Sequence, residues 1–324
     1  MNVGIIGCGN IGRLHAQMLT NCGLKLVACT DIVAKNAKAM AAQYGAKVEK
    51  DAAALVRRPD VDIVAVLTPT PTHSQYVILA AQAGKNIFCE KPFGRTVDDC
   101  RKAIAAVKKA GVKLFVGHVL RYFQEFEAIK QQVDAGKVGK PGFVKTYRGG
   151  AYPHGEAEWF ADFAQSGGIT FDCCIHDFDW LRYVFGDAER VFSQNLGEKN
   201  AEFMDYSLTT FRMKSGVIAN TVGTWAHPSG FKVKVEVCGD NGMLTFDNAD
   251  TSVSVMKKEI PGRPAVIVPG SPVDVSPYQL EWMDFIAWLE GRGTPRVTPE
   301  DGLEAVRMAA AALESAEKGR PVRL

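Results

Sequence analysis

Val3-Gly4-Ile5-Ile6-Gly7-Cys8-Gly9-Asn10-Ile11-Gly12 runs from an apolar segment into a glycine-rich turn. The apolar run Val3–Ile6 reads as a buried strand, and Ile11–Asn21 carries a helical pattern. The glycines therefore fall in a strand-to-helix turn, where G-x-G-x-x-G has a mechanical meaning. Gly7 permits the tight turn, Gly9 lets backbone amides approach a pyrophosphate, and Gly12 lets the helix pack close to the strand. The helix N-terminus faces the same phosphates with its partial positive charge. Asn10 and Ile11 complete the loop and are expected to line a bound dinucleotide.

Working outward, the next strand candidates are Lys25–Thr30, Ile63–Leu67, Asn86–Cys89 and Lys113–Gly117. Helical stretches at Ala34–Tyr44, His73–Ala83 and Val97–Ala110 alternate with them, which predicts a parallel βαβ sheet covered on both faces. After a helix near Gln124–Ala135 the pattern changes. Strands at Phe143–Arg148, Arg190–Asn195, Met204–Met213, Val217–Thr224, Val233–Cys238 and Met243–Asn248 follow one another through turn residues. One helical segment, about Ile169–Phe185, falls among them. Pro261–Pro277 reads as a surface loop, and two helices close the chain near Tyr278–Glu290 and Pro299–Glu317, the second capped by Thr298 with Asp301. The fold class is α/β: a Rossmann dinucleotide-binding domain over 1–118, then an α+β domain with an open, mostly antiparallel sheet over 119–324. The final helix is expected to pack back on the first domain.

A chain of 324 residues suits two domains. The formal net charge of +2, without a Lys/Arg run, gives no footprint for nucleic acid or a membrane surface. Met1 leads directly into the first strand, and the eight cysteines form no C-x-x-C pair. Reduced, buried thiols, a cytoplasmic location and no metal site are the expectations.

Asp31 ends the second strand, 19 residues after Gly12, where a carboxylate accepts hydrogen bonds from ribose hydroxyls. Ile32 and Val33 follow, with no Arg placed for a 2′-phosphate, so NAD is favoured; Arg13 and Lys35 leave room for some NADP use. Thr68 and His73 flank Thr68-Pro69-Thr70-Pro71-Thr72-His73 after the third strand, in a loop that lines the cofactor crevice.

Asp172 and His176 are four residues apart, reached through Gly167-Gly168, and on one helix they would share a face. A carboxylate beside an imidazole makes a general base near neutral pH. Glu90-Lys91-Pro92 follows a buried strand and offers a cation. Loss of hydride from a carbinol leaves a protonated carbonyl unless the hydroxyl proton also departs. Neutral His176 can take that proton, and the Lys91 ammonium stabilises the developing alkoxide.

The order and spacing of Gly7-x-Gly9-x-x-Gly12, Glu90-Lys91-Pro92 and Gly168-x-x-x-Asp172-x-x-x-His176 resemble the glucose–fructose oxidoreductase / inositol dehydrogenase / MocA family over essentially the whole chain. Gly12-Arg13-Leu14-His15-Ala16 and His176-Asp177-Phe178-Asp179 are similar to its inositol 2-dehydrogenase branch. The resemblance implies that Lys91 approaches the substrate hydroxyl and nicotinamide, Asp172 binds substrate and supports the histidine, and His176 takes the proton. It also implies that Glu90 lies near the nicotinamide, that a cis peptide precedes Pro92, and that subunits pair through the outer face of the open sheet as dimers or tetramers.

Polyol recognition needs several donors and acceptors beside an apolar wall. Arg121, Tyr122, His154 and Trp159 are the candidates, with Lys91, Asp172 and His176 shared from the catalytic set. The expected activity is NAD-dependent oxidation of a secondary hydroxyl of an inositol or cyclic sugar. An NAD-dependent glycosidase of the same superfamily and a non-catalytic sugar or dinucleotide sensor are the competing readings.

Overall fold

The computed structural model describes residues 1–153, 159–196, 205–228, 230–249 and 275–324. Its first half runs β1 (Asn2–Ile6), α1 (Asn10–Asn21), β2 (Lys25–Thr30), α2 (Ala34–Tyr44), β3 (Lys47–Val48), α3 (Ala52–Val56), β4 (Ile63–Val66), α4 (His73–Gln82), β5 (Asn86–Glu90), α5 (Val97–Ala110) and β6 (Leu114–Gly117). There follow α6 (Gln124–Asp134), β7 (Pro141–Gly149), α7 (Phe163–Ser166), α8 (Gly168–Asp172), α9 (Ile175–Phe185), β8 (Ala188–Leu196), β9 (Tyr206–Met213), β10 (Ile218–Thr224), β11 (Lys232–Gly239) and β12 (Gly242–Asp247). α10 (Pro277–Leu289), α11 (Pro299–Lys318) and β13 (Val322–Arg323) complete the described elements. The chain divides into two compact units, Met1–Tyr122 with Ser271–Val306, and Phe123–Gly270 with Arg307–Leu324.

The first unit holds a six-stranded sheet in the order β3-β2-β1-β4-β5-β6, every pairing parallel. Its central strands are buried at every position of Ile63–Val66 and at all but the first of Asn2–Ile6, so they read as continuous apolar runs. The chain leaves β1 toward β2 on one side and returns to β4 on the other. The crevice at the carboxyl ends of β1 and β4 is the topological switch point, where ligands bind in such sheets. α10 packs against α1 in this unit, and Trp282 stacks on Phe88 with ring centroids 4.4 Å apart. β3 and α3 had no counterpart among the sequence-predicted elements. Each is too short, at two and five residues, to establish a periodicity.

The second unit holds a mixed seven-stranded sheet, β12-β11-β7-β10-β9-β8-β13, in which β7 and β10 run parallel and all other pairs antiparallel. One face is buried and lined partly by hydroxyls: Thr146 donates to Thr221 at 2.9 Å, and Ser193 and Thr209 bond at 2.7 Å. The registers place Phe143, Phe192, Leu208, Ile218 and Met243 together on the opposite face, each more than a third exposed.

The expected single helix over Ile169–Phe185 is instead two, α8 and α9, broken at Cys173-Cys174. The Cys174 N–H reaches back five residues to the Ile169 carbonyl at 2.9 Å, and the His176 N–H bonds Cys173 three back at 3.2 Å. The ladder is locally π-like and then tight, a distortion frequent at functional sites. Packing supplies the cause. Cys174 is fully buried against Gly223 of β10, where an added Cβ would lie 2.2 Å from the Cys174 sulfur.

Beneath α9, the buried Arg148 of β7 donates to both carboxylate oxygens of Asp177, at 2.6 and 3.2 Å. Removing one partner of such a buried pair costs far more than replacing both by apolar groups. Arg148→Met should therefore lower unfolding free energy by about 3–5 kcal/mol, and adding Asp177→Leu should recover most of it, read from urea midpoints. Equal losses in the single and double variants would show that the pair is not coupled.

Candidate functional site

Gly7 has φ +98, and a Cβ there would lie 2.4 Å from the Leu67 carbonyl oxygen at the end of β4. A Cβ on Gly12 would lie 2.2 Å from the Gly7 oxygen. Both positions exclude any side chain, so the start of α1 lies directly on the turn. Gly9, by contrast, has nothing within 4 Å of its would-be Cβ, and it caps the twelve-residue helix α1. Two glycines thus enforce the close approach, and the third leaves open the side from which a phosphate would meet the helix N-terminus. Asn10 and Ile11 are both partly exposed there.

Asp31 is held against this loop. Its Oδ2 accepts the Cys8 N–H at 2.6 Å and its Oδ1 accepts the Val33 N–H at 2.7 Å. An ionised carboxylate offers about four lone-pair sites, so capacity remains for ribose hydroxyls. Ile32 beside it is 93% exposed, and neither neighbour supplies a cation. The glycine loop, the start of α1 and Asp31 together fit a dinucleotide with an unphosphorylated ribose.

Thr68 is partly exposed and accepts a hydrogen bond from the Thr72 hydroxyl at 2.7 Å. His73 is placed differently from expectation. It is buried, with Nδ1 at 2.7 Å from the Pro92 oxygen and Nε2 at 2.6 Å from the Thr68 oxygen. Burial pushes its pKa down against those two carbonyls. Its ring ties the loop after β4 to the turn after β5 and has no nitrogen left over for a cofactor.

β5 delivers Glu90 and Lys91, and the Lys91–Pro92 bond is cis. Lys91 is partly exposed and Glu90 is buried. Glu90 Oε2 accepts the backbone N–H of Lys91 at 2.8 Å, and Oε1 lies 2.9 Å from His15 Nε2. Burial alone would push the Glu90 carboxyl up; the His15 hydrogen bond and the nearby positive charge of Lys91 outweigh it and hold it below the usual glutamate range. Glu281 of α10, buried in the same unit, shows the opposite outcome. No described group donates to either of its oxygens, and burial, with the charges of Glu90 and Asp284, pushes its carboxyl well up.

Arg121 and Tyr122, expected to meet substrate, are buried instead. Arg121 donates to the Arg296 carbonyl at 2.7 Å and lies 3.3 Å from Asp301. The Tyr122 hydroxyl donates to Asp284 at 2.6 Å, and the Arg296 guanidinium lies 4.7 Å from its ring centroid. These polar groups are engaged in joining the end of β6 to α10 and α11.

In the second unit Asp172 ends α8 and His176 lies in the first turn of α9. Every residue from Phe171 to Trp180 is buried except these two. Asp205 Oδ2 accepts the Ile169 N–H at 2.6 Å and holds the Gly167-Gly168 turn into α8; burial pushes its carboxyl up to about 6. Trp159 packs on Phe160 with ring centroids 4.0 Å apart, and Phe160 meets Trp225 edge-on. His154 lies outside the described residues, as does Pro261–Pro277 up to position 274.

His15, Trp282, Glu281 and Asp205 were not singled out from the sequence. His15 stood within the quoted Gly12-Arg13-Leu14-His15-Ala16, but its partners are 75 and 267 residues away. An acidic and aromatic pair in a largely apolar helix, Glu281-Trp282, was the available signal.

Comparison with known proteins agrees with this geometry. Residues 1–118 match the model of an oxidoreductase family with an NAD-binding Rossmann fold, and residues 130–324 match that family's C-terminal alpha/beta domain. The chain is 33% identical to the myo-inositol 2-dehydrogenase of Thermotoga maritima, over 100% of this chain and 98% of that protein. It is 31% identical to the scyllo-inositol 2-dehydrogenase (NAD(+)) of Bacillus subtilis, over 99% and 95%. Among solved structures, scyllo-inositol dehydrogenase from Lactobacillus casei with bound NAD(H) and scyllo-inositol superposes with a TM-score of 0.82 at 26% identity, covering 100% of this chain and 98% of that one. No described helix is long and apolar enough to cross a membrane. The chain is an NAD-dependent oxidoreductase, and it belongs to the Gfo/Idh/MocA family.

Proposed function

We propose that this chain oxidises a secondary hydroxyl of an inositol or cyclic sugar to the ketone. The observation that carries this reading is that Asp172 and His176 alone are partly exposed in the otherwise buried segment from Phe171 to Trp180. An acid–base pair that served only packing would be buried with its neighbours. The relatives named for inositol 2-dehydrogenation support the substrate class.

Gly7, Gly9, Asn10, Ile11 and Gly12 hold the pyrophosphate of NAD, Asp31 holds its ribose, and Thr68 with Glu90 and Lys91 borders the remainder. When bound, NAD supplies the hydride acceptor. His176 accepts the hydroxyl proton through a neutral imidazole nitrogen. Lys91, as an ammonium, stabilises negative charge on the same oxygen, and Asp172 accepts substrate hydroxyl donors and steadies the histidine. Trp159 offers an apolar wall for a sugar ring.

With inositols and cyclic sugars as substrates, NADH absorbance should rise. Lys91→Met and His176→Ala should each lower kcat by roughly 10²–10⁴-fold while circular dichroism stays native. Unchanged turnover in both variants would remove these residues from catalysis. No NADH from any polyol, with cleavage of an aryl glycoside, would establish the glycosidase reading instead. Asp31→Ala should weaken NAD by about tenfold or more, the loss of charge-assisted hydrogen bonds, and should weaken NADP less, as measured by calorimetric titration. Equal losses would discard the ribose role.

We further propose that copies of the chain associate through the outer face of the second unit's sheet, where Phe143, Phe192, Leu208, Ile218 and Met243 are exposed on one side. Light scattering should give a multiple of the 35.2 kDa chain mass. Leu208→Glu with Ile218→Glu should reduce it to one copy; a monomeric parent protein would refute the interface.

A further inference from the structure

His15 is fully buried on α1, one turn past the glycine loop, between two partners that orient its ring. The Trp282 indole Nε1–H lies 3.0 Å from His15 Nδ1. An indole nitrogen can only donate, so Nδ1 must present its lone pair. The single ring hydrogen is then on Nε2, and it points at Glu90 Oε1, 2.9 Å away. Glu90's other oxygen accepts the Lys91 amide at 2.8 Å. The donors therefore converge on one carboxylate: Trp282 donates to His15, His15 to Glu90, and the Lys91 backbone to Glu90's other oxygen.

We propose that His15 is a positioning residue: held in its Nε2–H form by Trp282, it keeps Glu90 ionised and oriented, and Glu90 in turn fixes the backbone of Lys91 and supplies the negative charge near its ammonium. The inference rests on the reading of Lys91 as part of the catalytic group, and it assigns a role to α1 beyond cradling phosphate.

The contrast with Glu281 gives the reason. Two glutamates are buried in one unit; the carboxyl that receives donors is held below the usual glutamate range, and the one without them is pushed well above it. Without the His15 donor Glu90 would move toward the state of Glu281. Lys91 would then lose both its nearby anion and part of the anchor on its amide. A hydrogen bond to a charged group is typically the stronger kind and costly to remove when buried.

The test uses His15→Phe, His15→Gln and Trp282→Phe. Gln returns an N–H donor near the position of Nε2, and Phe at 282 keeps a ring to stack on Phe88 while deleting the indole donor. Lys91 acylation by an amine-reactive reagent is followed by peptide mass spectrometry on the protein without cofactor or substrate. Steady-state kinetics and calorimetric NAD titration accompany it. In His15→Phe, Lys91 should acylate several-fold faster at neutral pH and kcat should fall about tenfold or more, the value of one charge-assisted hydrogen bond. NAD affinity should change less than kcat, because the glycine loop and Asp31 are not touched. His15→Gln should reverse most of both changes, and Trp282→Phe should shift both in the direction of His15→Phe.

Folded His15→Phe protein with wild-type acylation and kcat would overturn the proposal. If that variant does not fold, wild-type values in Trp282→Phe overturn it equally. Acylation is read without substrate, so a chain that oxidises no polyol sinks the proposed activity and leaves the His15–Glu90–Lys91 link to be decided by the labelling.

Discussion

The first unit is organised around a carboxylate that should not be easy to bury. Glu90 stands at the end of a central strand, and desolvation penalises its charge. It remains charged because β5, α1 and α10 converge on it. Gly117 on the neighbouring strand leaves room beside it, with a would-be Cβ 3.5 Å from the carboxyl carbon. Trp282 stacks on Phe88 and at the same time orients His15. Three of the buried carboxyl groups meet the same penalty in three ways. Glu90 takes donors from a histidine and a backbone amide, Asp177 takes the Arg148 guanidinium, and Glu281, with no described donor, is pushed well up toward its neutral form. Only the first solution leaves a negative charge near a partly exposed lysine.

In the second unit the governing constraint is steric. Gly223 lets Cys174 press into β10, and the helical ladder yields by forming an i to i−5 bond. The Gly168 turn, φ +64, is equally confined: a Cβ there would meet Asp205 at 2.5 Å and Phe163 at 2.9 Å. These two contacts place the ends of α8 and α9 so that the residues around Asp172 and His176 are buried while those two reach solvent. An uninterrupted helix would also have brought residues four apart to one face, but it would not have seated Cys174 against the sheet.

What was legible in the sequence follows from how local each signal is. The glycine loop was readable because each glycine answers a constraint within one turn, and the alternation of β9, buried at Ser207, Thr209, Phe211 and Met213, gives its face directly. The Thr298–Asp301 capping box closes as its spacing implied, with Asp301 N–H donating to Thr298 Oγ1 at 3.1 Å. Arg121 and Tyr122 misled because their polar tips looked available. Their partners, Arg296, Asp301 and Asp284, lie more than 160 residues later, where no period or spacing announces them. The break between α8 and α9 was equally invisible, since its cause is a missing side chain on β10.

Asp31 shows how recognition and loop geometry become one property. A free carboxylate at a strand end could rotate away from an approaching phosphate. Here both oxygens hold backbone amides, one in the glycine loop and one after the strand, so rotation would release Cys8 and Val33 together. In the proposed ribose role, a 2′-phosphate would bring about two further negative charges against a carboxylate that cannot withdraw without loosening the turn that cradles the pyrophosphate. On that proposal, admitting NADP takes more than adding a cation near Ile32. It also requires another acceptor for the Cys8 amide, since an unmet buried N–H is itself costly.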